Sequence, residues 1–332
     1  MSTAPSPHAP VAPPAAPAWT DAQLAAYSRD RIAKGSKSFA TAARLFAPYE
    51  RASATMLYAW CRHCDDEIDG QDLGFNTPNA PHAATDERLA TLQRKTQDAI
   101  DGHAIEPMFI ALQRVIERHA IPARIPLDLI EGMAMDVRGY QPKTLDDTLL
   151  YAYHVAGCVG VMMAYIMGVK DRATLDRACD LGIAFQLTNI ARDVRTDATV
   201  GRTYMPQDWL REAGIPQGAL AVPRQTDAVH AVTLRLLDEA DKYYASAYYG
   251  IAQLPFRSAL AIATARRVYR DIGGVVRENG ADAATRARVT PLRKLQGILA
   301  ATGDTLAAHR WGLGGRPIAA APARTGLWTM HR

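Results

Sequence analysis

The sequence predicts an all-α protein, and three of its features carry that prediction. Apolar residues recur at helical spacing through most of the chain, and no stretch alternates between apolar and polar residues over the length of a strand. Segments rich in Gly and Pro separate the helical patterns. The 332 residues, 48% of them hydrophobic and 22% charged, are enough to bury a large core. We therefore expect packed helices around that core.

The predicted helices follow one another along the chain. Thr20 and Gln23 form a capping-box pattern that begins the first of them. Turn-forming residues are dense over residues 70–85, which predicts a loop there. The helical patterns cover residues 20–33, 49–69, 86–102, 106–120, 125–139, 145–169, 172–197, 227–250, 257–279 and 291–309.

The two ends of the chain are predicted to lie outside the folded part. Residues 1–18 are rich in Pro and Ala, a composition that favours disorder because proline interrupts helices. Residues 311–332 are rich in Gly, Ala and Pro and are expected to be loose. One all-α domain is therefore expected over residues 19–310.

Residues 151–169 contain no Asp, Glu, Lys or Arg, so they satisfy the length criterion for a membrane-spanning helix. However, His154 and three glycines interrupt the apolar run, and no second run of this kind accompanies it. We therefore interpret the segment as a buried helix. Its apolar side chains can pack only in the core, or they can also line an apolar tunnel for a ligand.

The composition is that of a globular protein. The net charge is +4, and no dense run of Lys and Arg indicates a nucleic-acid partner. Four cysteines are too few for a disulfide scaffold in a chain of this length. Cys61 and Cys64 form a C-x-x-C pattern, but no second pair completes a zinc site, so we interpret them as packed side chains. No basic region followed by an apolar core begins the chain, so the expected compartment is the cytoplasm.

Residues 186–197 carry the strongest functional pattern. Asn189, Asp193 and Asp197 follow one another at intervals of four, which places their side chains along one stripe of a helix. Gln186 precedes them by about one turn on the same stripe. Carboxylate and amide oxygens are the ligands that suit hard cations such as Mg²⁺. The stripe therefore predicts a cation site.

A second acidic motif lies far upstream. Asp65 and Asp69 are also four positions apart, with Asp66 between them. Acidic residues at this spacing are common on solvated helix faces, so either motif alone is balanced between the two interpretations. Each motif follows an apolar segment, however, where a carboxylate is costly unless a partner compensates it. Together they predict two helices that hold metal ions and a diphosphate between them.

Basic and hydroxyl side chains near these motifs suit a phosphate. Gly-Ser-Lys-Ser-Phe at 35–39 offers two hydroxyls, an ammonium and backbone amides, although a plain N-cap turn is the simpler explanation of it alone. Arg62 lies one turn before Asp65, where it can meet a bound phosphate or pair with a surface carboxylate. In the turn after the second motif, Arg202 and Tyr204 are placed to close over the site.

These motifs together resemble the squalene/phytoene synthase family of head-to-head prenyl transferases. The resemblance covers about residues 24–300 and implies a single-domain, isoprenoid-synthase-type helical bundle around a central hydrophobic cavity. It also implies a requirement for Mg²⁺ or Mn²⁺. It rests on Gly-Ser-Lys-Ser-Phe at 35–39, Leu-Tyr-Ala-Trp-Cys-Arg-His-Cys-Asp-Asp-Glu-Ile-Asp at 57–69, Gln-Leu-Thr-Asn-Ile-Ala-Arg-Asp-Val at 186–194 and Gly-Arg-Thr-Tyr-Met-Pro at 201–206.

The resemblance also implies roles for individual residues. The expected metal ligands are Asp65, Asp69, Asn189, Asp193 and Asp197. The side chains expected to meet diphosphate oxygens are Ser36, Lys37, Arg62, Arg192 and Arg202. The residues expected to line the substrate cavity are Phe39, Tyr151, Val155, Val159, Gly160 and Gln186. The expected catalytic residues are Tyr58, Arg62, Asp65, Asp69, Asp193 and Tyr269.

The implied reaction is the head-to-head (1′-1) condensation of two geranylgeranyl diphosphates, through prephytoene diphosphate, to phytoene in carotenoid biosynthesis. No G-x-G-x-x-G follows a strand pattern, which favours a reaction without NADPH. The nearest alternative joins two farnesyl diphosphates to dehydrosqualene or a squalene-type product. The others are a head-to-tail prenyl transferase or terpene cyclase, and a catalytically silent helical membrane adaptor. The expected location is the cytoplasm, with peripheral contact at the inner face of the cell membrane.

Overall fold

The structure is a computed structural model. It describes residues 19–35, 43–69, 71–72, 75–76, 86–216, 218–221, 227–279, 305 and 321–329. The predicted disorder of residues 1–18, the turn with Ser36, Lys37 and Phe39, and nearly all of the predicted helix 291–309 lie outside these residues.

The described residues are predominantly helical, which confirms the predicted all-α class. Eleven α-helices are present among them: α1 (Asp21–Gly35), α2 (Pro48–Asp69), α3 (Asp86–Ile100), α4 (Pro107–His119), α5 (Arg124–Val137), α6 (Leu145–Ala152), α7 (Cys158–Ile166), α8 (Arg172–Thr199), α9 (Gln207–Glu212), α10 (Asp227–Ile251) and α11 (Phe256–Asn279). A π-helix, Tyr153–Gly157, joins α6 to α7, and a 3₁₀ turn spans Ala219–Ala221. Two short antiparallel strands, β1 (Gln71–Asp72) and β2 (Phe75–Asn76), follow α2, with Gln71 opposite Asn76.

Side-chain caps mark where several helices begin. The predicted capping box of α1 is present, because the Thr20 amide donates to Gln23 Oε1 at 2.9 Å and the Gln23 amide donates to Thr20 Oγ1 at 3.3 Å. Thr144 and Asp147 form the same reciprocal pair at the start of α6. Asp171 caps α8 by accepting from the Thr174 amide at 2.9 Å.

The long apolar segment after residue 144 is not the one continuous α-helix that the sequence predicts, because a π-helix interrupts it. The amide of Cys158 bonds to the carbonyl of Tyr153, five residues back, so the middle of the segment is a π-helix with one extra residue in its turn. Leu145–Ile166 is long and apolar enough to cross a membrane by composition, with a mean hydropathy of 1.6 in its most apolar window. Because 56% of that window is buried inside the bundle, a core helix explains it.

Glycines allow this segment to lie against α8 at very short range. A Cβ on Gly182 would lie 2.3 Å from the carbonyl oxygen of Ala156, and one on Gly160 would lie 2.4 Å from that of Ala178. Real Cβ atoms do not approach so closely, so both positions require glycine. The backbones of the two helical segments are therefore in direct contact along the centre of the bundle.

The C-terminal segment 321–329 docks on the bundle, which differs from the loose tail expected for residues 311–332. Arg324 donates to Asp180 of α8 through Nε at 2.8 Å and Nη2 at 2.6 Å. Trp328 stacks on Tyr153 with ring centroids 4.6 Å apart. The composition did not reveal this segment because its anchors are two side chains whose partners lie far away in the chain. Residues 311–320 are outside the described part.

Candidate active site

A cavity of about 300 Å³ opens between α2, α5, α8 and the junction of α6 with the π-helix. Its polar residues gather around the last turns of α8, and its apolar residues come from α2, α5, α8 and the π-helix. The lining consists of Asp65, Ile68, Met133, Asp136, Tyr151, Val155, Gln186, Asn189, Ile190, Arg192, Asp193, Asp197, Arg202 and Tyr204.

The predicted stripe of α8 faces this cavity over its whole length. Gln186, Asn189, Asp193 and Asp197 all belong to the lining. The amide nitrogen of Asn189 donates to Gln186 Oε1 at 3.3 Å, which turns the Asn189 carbonyl oxygen away from Gln186. That oxygen is buried and has no hydrogen-bond partner among the described residues. A buried acceptor without a partner is costly, so its position favours a ligand that supplies a positive charge or a donor.

The last carboxylate of the stripe, Asp197, is only partly compensated by the basic side chains near it. Burial, and then the charge of Asp193, raise the pKa of Asp197 to about 7, against the opposing effect of Arg202 and Arg192. Asp193 is paired with its neighbour Arg192, whose Nε donates to Asp193 Oδ1 at 2.9 Å. The charge of Asp193 therefore lies close enough to disfavour the ionisation of Asp197. A bound cation would relieve that repulsion.

The first acidic motif divides its carboxylates between two environments. Asp65 lines the cavity, opposite the stripe of α8. Asp66 is 4% exposed and accepts a hydrogen bond from Arg62 Nε at 3.0 Å. Arg62 is held at this carboxylate and is not one of the lining residues, so its role at a diphosphate stays a prediction. The side chain of Asp69 lies outside what the structure describes.

Asp136 is a cavity residue to which the sequence analysis assigned no role. It accepts hydrogen bonds from the hydroxyl of Tyr204 at 2.6 Å and from that of Tyr151 at 3.1 Å. The two phenol rings stack with centroids 4.4 Å apart and an interplanar angle of 13°. The signal in the sequence was a carboxylate within the apolar run that ends the helix, and only the fold shows that two tyrosines converge on it.

Both tyrosines are therefore neutral at physiological pH. Burial and the nearby charge of Asp136 raise the pKa of Tyr151 and of Tyr204 well above the ordinary phenol value. They contribute ring faces and oriented hydroxyl groups that donate to Asp136. Tyr151 comes from α6 and Tyr204 from the turn after α8, so this cluster ties the turn to the cavity wall.

The residues present fit a divalent cation in the chemistry of their donors. Asp65, Asn189, Asp193 and Asp197 supply oxygen atoms to one cavity, which is the donor type that Mg²⁺ and Mn²⁺ prefer. Within the described part of the chain, no three His, Cys, Asp or Glu side chains are gathered tightly enough to hold an ion by themselves.

Five predicted site residues of the described part lie elsewhere than in the lining: Arg62, discussed above, and Tyr58, Val159, Gly160 and Tyr269. Tyr58, Val159 and Tyr269 are partly buried and pack against the core. Tyr269 stacks on Phe185 with centroids 4.1 Å apart. Gly160 faces the backbone of Ala178 on α8, so its role at the cavity stays a prediction. A glycine beside a ligand and a glycine beside another helix give the same sequence pattern.

The four cysteines are packed thiols. All four are free, and Cys64, Cys158 and Cys179 are buried. Burial raises the pKa of each of the four thiols above the ordinary value, which keeps them protonated and unreactive.

Comparison with known proteins places these features in a family. The family described as squalene/phytoene synthase matches residues 32–295. A 15-cis-phytoene synthase from Pantoea ananas is 52% identical over 279 residues, which are 83% of this chain and 90% of that protein. One from Enterobacter agglomerans is 48% identical over 295 residues, 89% of this chain and 98% of that protein. The solved structure of a dehydrosqualene synthase superposes with a TM-score of 0.75 at 27% identity, covering 85% of this chain and 96% of that one.

Proposed function

Because the chain belongs to the squalene/phytoene synthase family, as its motifs predicted, we propose that it is a 15-cis-phytoene synthase. It joins two geranylgeranyl diphosphates head to head, through prephytoene diphosphate, to phytoene and diphosphate. The observation that carries this proposal is the identity of 52% across 83% of the chain to a protein of that activity, together with the oxygen-lined cavity. The same features argue against a silent membrane adaptor.

Loss of diphosphate from the first substrate requires compensation of its negative charge. Arg192 and Arg202 line the cavity beside the carboxylate stripe, so their guanidinium groups can donate to diphosphate oxygens. Held by Asp65, Asn189, Asp193 and Asp197, Mg²⁺ or Mn²⁺ would neutralise the diphosphate and assist cleavage of the allylic C–O bond. Arg192 already pairs with Asp193, so a bound diphosphate would compete with Asp193 for the guanidinium group of Arg192.

The carbocation that results must be kept from water. Ile68, Met133, Val155 and Ile190 form the apolar part of the lining and exclude water from the prenyl chains. The stacked rings of Tyr151 and Tyr204 offer polarisable faces at the boundary between the apolar and the charged parts. Because both phenols are neutral and donate to Asp136, they do not trap the cation as nucleophilic phenolates.

The second candidate is a synthase that joins two farnesyl diphosphates. It is favoured by the similarity of the fold to a dehydrosqualene synthase. The two candidates share the charged part of the site and differ in the length of prenyl chain that the apolar part accepts.

Product analysis tests the proposal. Purified protein is incubated with Mg²⁺ or Mn²⁺, detergent and either geranylgeranyl or farnesyl diphosphate, without NADPH, and the hydrocarbon is extracted. A conjugated triene with twice the carbons of geranylgeranyl supports the proposal and shows that no reductant is needed. A product from farnesyl diphosphate alone favours the second candidate. No hydrocarbon from either substrate, with metal present, contradicts both.

We further propose that the protein works in the cytoplasm at the inner face of the cell membrane. Its substrates carry long apolar chains, and its product is a hydrocarbon that dissolves in lipid and not in water. Vesicle flotation with and without substrate tests this, and protein that stays in the aqueous fraction under both conditions contradicts it.

A further inference from the structure

Gly132 on α5 lies directly behind a residue of the cavity wall. A Cβ at this position would be 2.9 Å from Cγ1 of Val155, 3.1 Å from the carbonyl carbon of His154 and 3.2 Å from its Cβ. Real Cβ atoms essentially never lie within 3.0 Å of another heavy atom, so an added methyl group would displace Val155 or the backbone beside it. Helix α5 meets the π-helix only because residue 132 has no side chain.

Val155 transmits any such displacement to the cavity. It lines the cavity from the π-helix, and Met133, the neighbour of Gly132, lines it from α5. Gly132 itself is not a lining residue, so it acts from a second layer. A Val side chain has few low-energy rotamers, which limits its ability to turn aside within its own space.

The π-helix cannot move away from α5, because α8 supports it on the other side. A Cβ on Gly182 would lie 2.8 Å from the Cα of Gly157 and 2.3 Å from the carbonyl oxygen of Ala156. A Cβ on Gly157 would lie 3.1 Å from Sγ of Cys179. The backbone from His154 to Gly157 is therefore packed on both faces, and the space left for Val155 is the cavity.

We propose that Gly132 is a specificity-determining residue for the length of the prenyl chain. By letting Val155 lie back against α5, it keeps the cavity deep enough for geranylgeranyl chains, and a side chain at residue 132 shortens the cavity toward farnesyl. The proposal rests on the function proposed above, since it concerns the same cavity and its substrates.

The test is Gly132→Ala, assayed with each diphosphate for kcat/KM under the conditions of the product analysis. We expect the ratio of kcat/KM for geranylgeranyl over farnesyl to fall roughly tenfold or more, since a single methylene misfit in an apolar pocket already changes such ratios by about 10–200-fold. The matched control is Gly274→Ala on α11, where an added Cβ meets nothing within 4 Å. The control should keep the ratio of the unchanged protein.

A rescue variant separates specificity from a merely structural effect. Val155→Ala removes the Cγ1 atom that a Cβ at residue 132 would meet, so the double variant Gly132→Ala/Val155→Ala should recover most of the original ratio. If Gly132→Ala does not fold, the double variant is compared with Val155→Ala alone. The double variant must then prefer the shorter chain relative to Val155→Ala, because the new methyl group fills the space that the valine vacated.

Three results would overturn the proposal. The first is an unchanged ratio in folded Gly132→Ala. The second is an equal loss with both substrates, and the third is a double variant whose preference equals that of Val155→Ala. If the unchanged protein makes no hydrocarbon, the proposed function fails by itself. In that case the Kd values of farnesyl and geranylgeranyl thiodiphosphate in the same variants measure the cavity length without turnover, and equal shifts for both ligands overturn the inference.

Discussion

The two halves of α8 differ in how far the protein itself compensates their buried carboxylates. In the first half, Asp180 is fully buried, and three hydrogen bonds satisfy it: two from Arg324 and one from Ser246 at 2.5 Å. Burial raises the pKa of Asp180, and these hydrogen bonds oppose that rise. In the second half, the cavity holds Asp197 with its pKa raised to about 7.

The difference distinguishes a carboxylate that serves the fold from carboxylates that serve a ligand. Arg324 supplies Asp180 with a permanent cation from the C-terminal segment, so this carboxylate is compensated within the protein itself. The last turns leave the Asn189 oxygen without a partner and place Asp193 and Asp197 near each other. The Asn189 oxygen and the desolvated Asp197 cost stability in the protein alone, and groups of this kind persist where a ligand stabilises them.

The largest effect is expected from Asp193→Ala. It removes an oxygen ligand from the cavity, so activity should fall by at least about a thousandfold. The unfolding free energy should change by less than about 2 kcal/mol, since no core volume is lost. Arg192, which loses its partner Asp193, still has the carboxylate of Asp197 near it. Product formation and chemical denaturation measure the two quantities. Asp98→Ala is the control, because the Asp98 side chain is 43% exposed and pairs with Arg94 outside the cavity lining. Near-normal activity of Asp193→Ala would refute the assignment of this ligand, and Asp65→Ala should behave in the same way.

Arg324→Ala, which acts on Asp180 in the first half of α8, is expected to lower stability and to leave activity nearly unchanged. The substitution leaves Asp180 buried without its cation, so we expect a loss of about 3–5 kcal/mol of unfolding free energy. Activity of the protein that remains folded should stay close to normal, because Arg324 is not in the cavity lining. Urea denaturation measures the loss. Arg94→Ala at the exposed pair with Asp98 is the control and should cost about 1 kcal/mol or less. An equally small effect of Arg324→Ala would show that the C-terminal segment does not stabilise the bundle.

A smaller effect is expected from Asp136→Asn, which changes how the tyrosines are held. An amide has a single acceptor oxygen and adds two donors, so it cannot accept from Tyr151 and Tyr204 as a carboxylate does. We expect kcat to fall about 10–100-fold, the range seen when groups that orient site residues are removed. Steady-state kinetics measure this, and Tyr204→Phe, which removes one of the two donors, should fall less. Unchanged kcat in Asp136→Asn would show that the cluster only supports the turn.

The smallest effect concerns the pH dependence of the metal-free protein. The folded-state pKa of Asp197, about 7, lies above that of an unfolded aspartate, about 3.9. The folded state therefore binds more protons between these values, and stability decreases as pH rises from about 4 to about 7. Asp197→Asn should remove that part of the decrease, and Mg²⁺ should oppose the decrease only in the unchanged protein. Thermal denaturation across this range, with and without Mg²⁺, measures both. Identical pH profiles for the two proteins would show that Asp197 is not desolvated in the cavity.

Much of the site was predictable because helical spacing is local. Asn189, Asp193 and Asp197 share a face by their intervals alone, and the structure places all three in one cavity together with Asp65. Asp136 was not predictable, since its importance depends on Tyr151 and Tyr204, which reach it from two other elements. The contact of Gly160 with the backbone of Ala178 was not predictable either, because nothing local shows which neighbour a glycine faces.

The sequence by itself determined the helical class, the positions of most helices, the stripe of oxygen side chains and, through its motifs, the family. These follow from periodicity, capping residues and spacing, which act within a few turns of the chain. Only the tertiary structure decided the docking of Arg324 on Asp180, the convergence of two tyrosines on Asp136 and the place of Gly132 behind Val155. These depend on how close distant segments come, and packing of the whole core sets those distances.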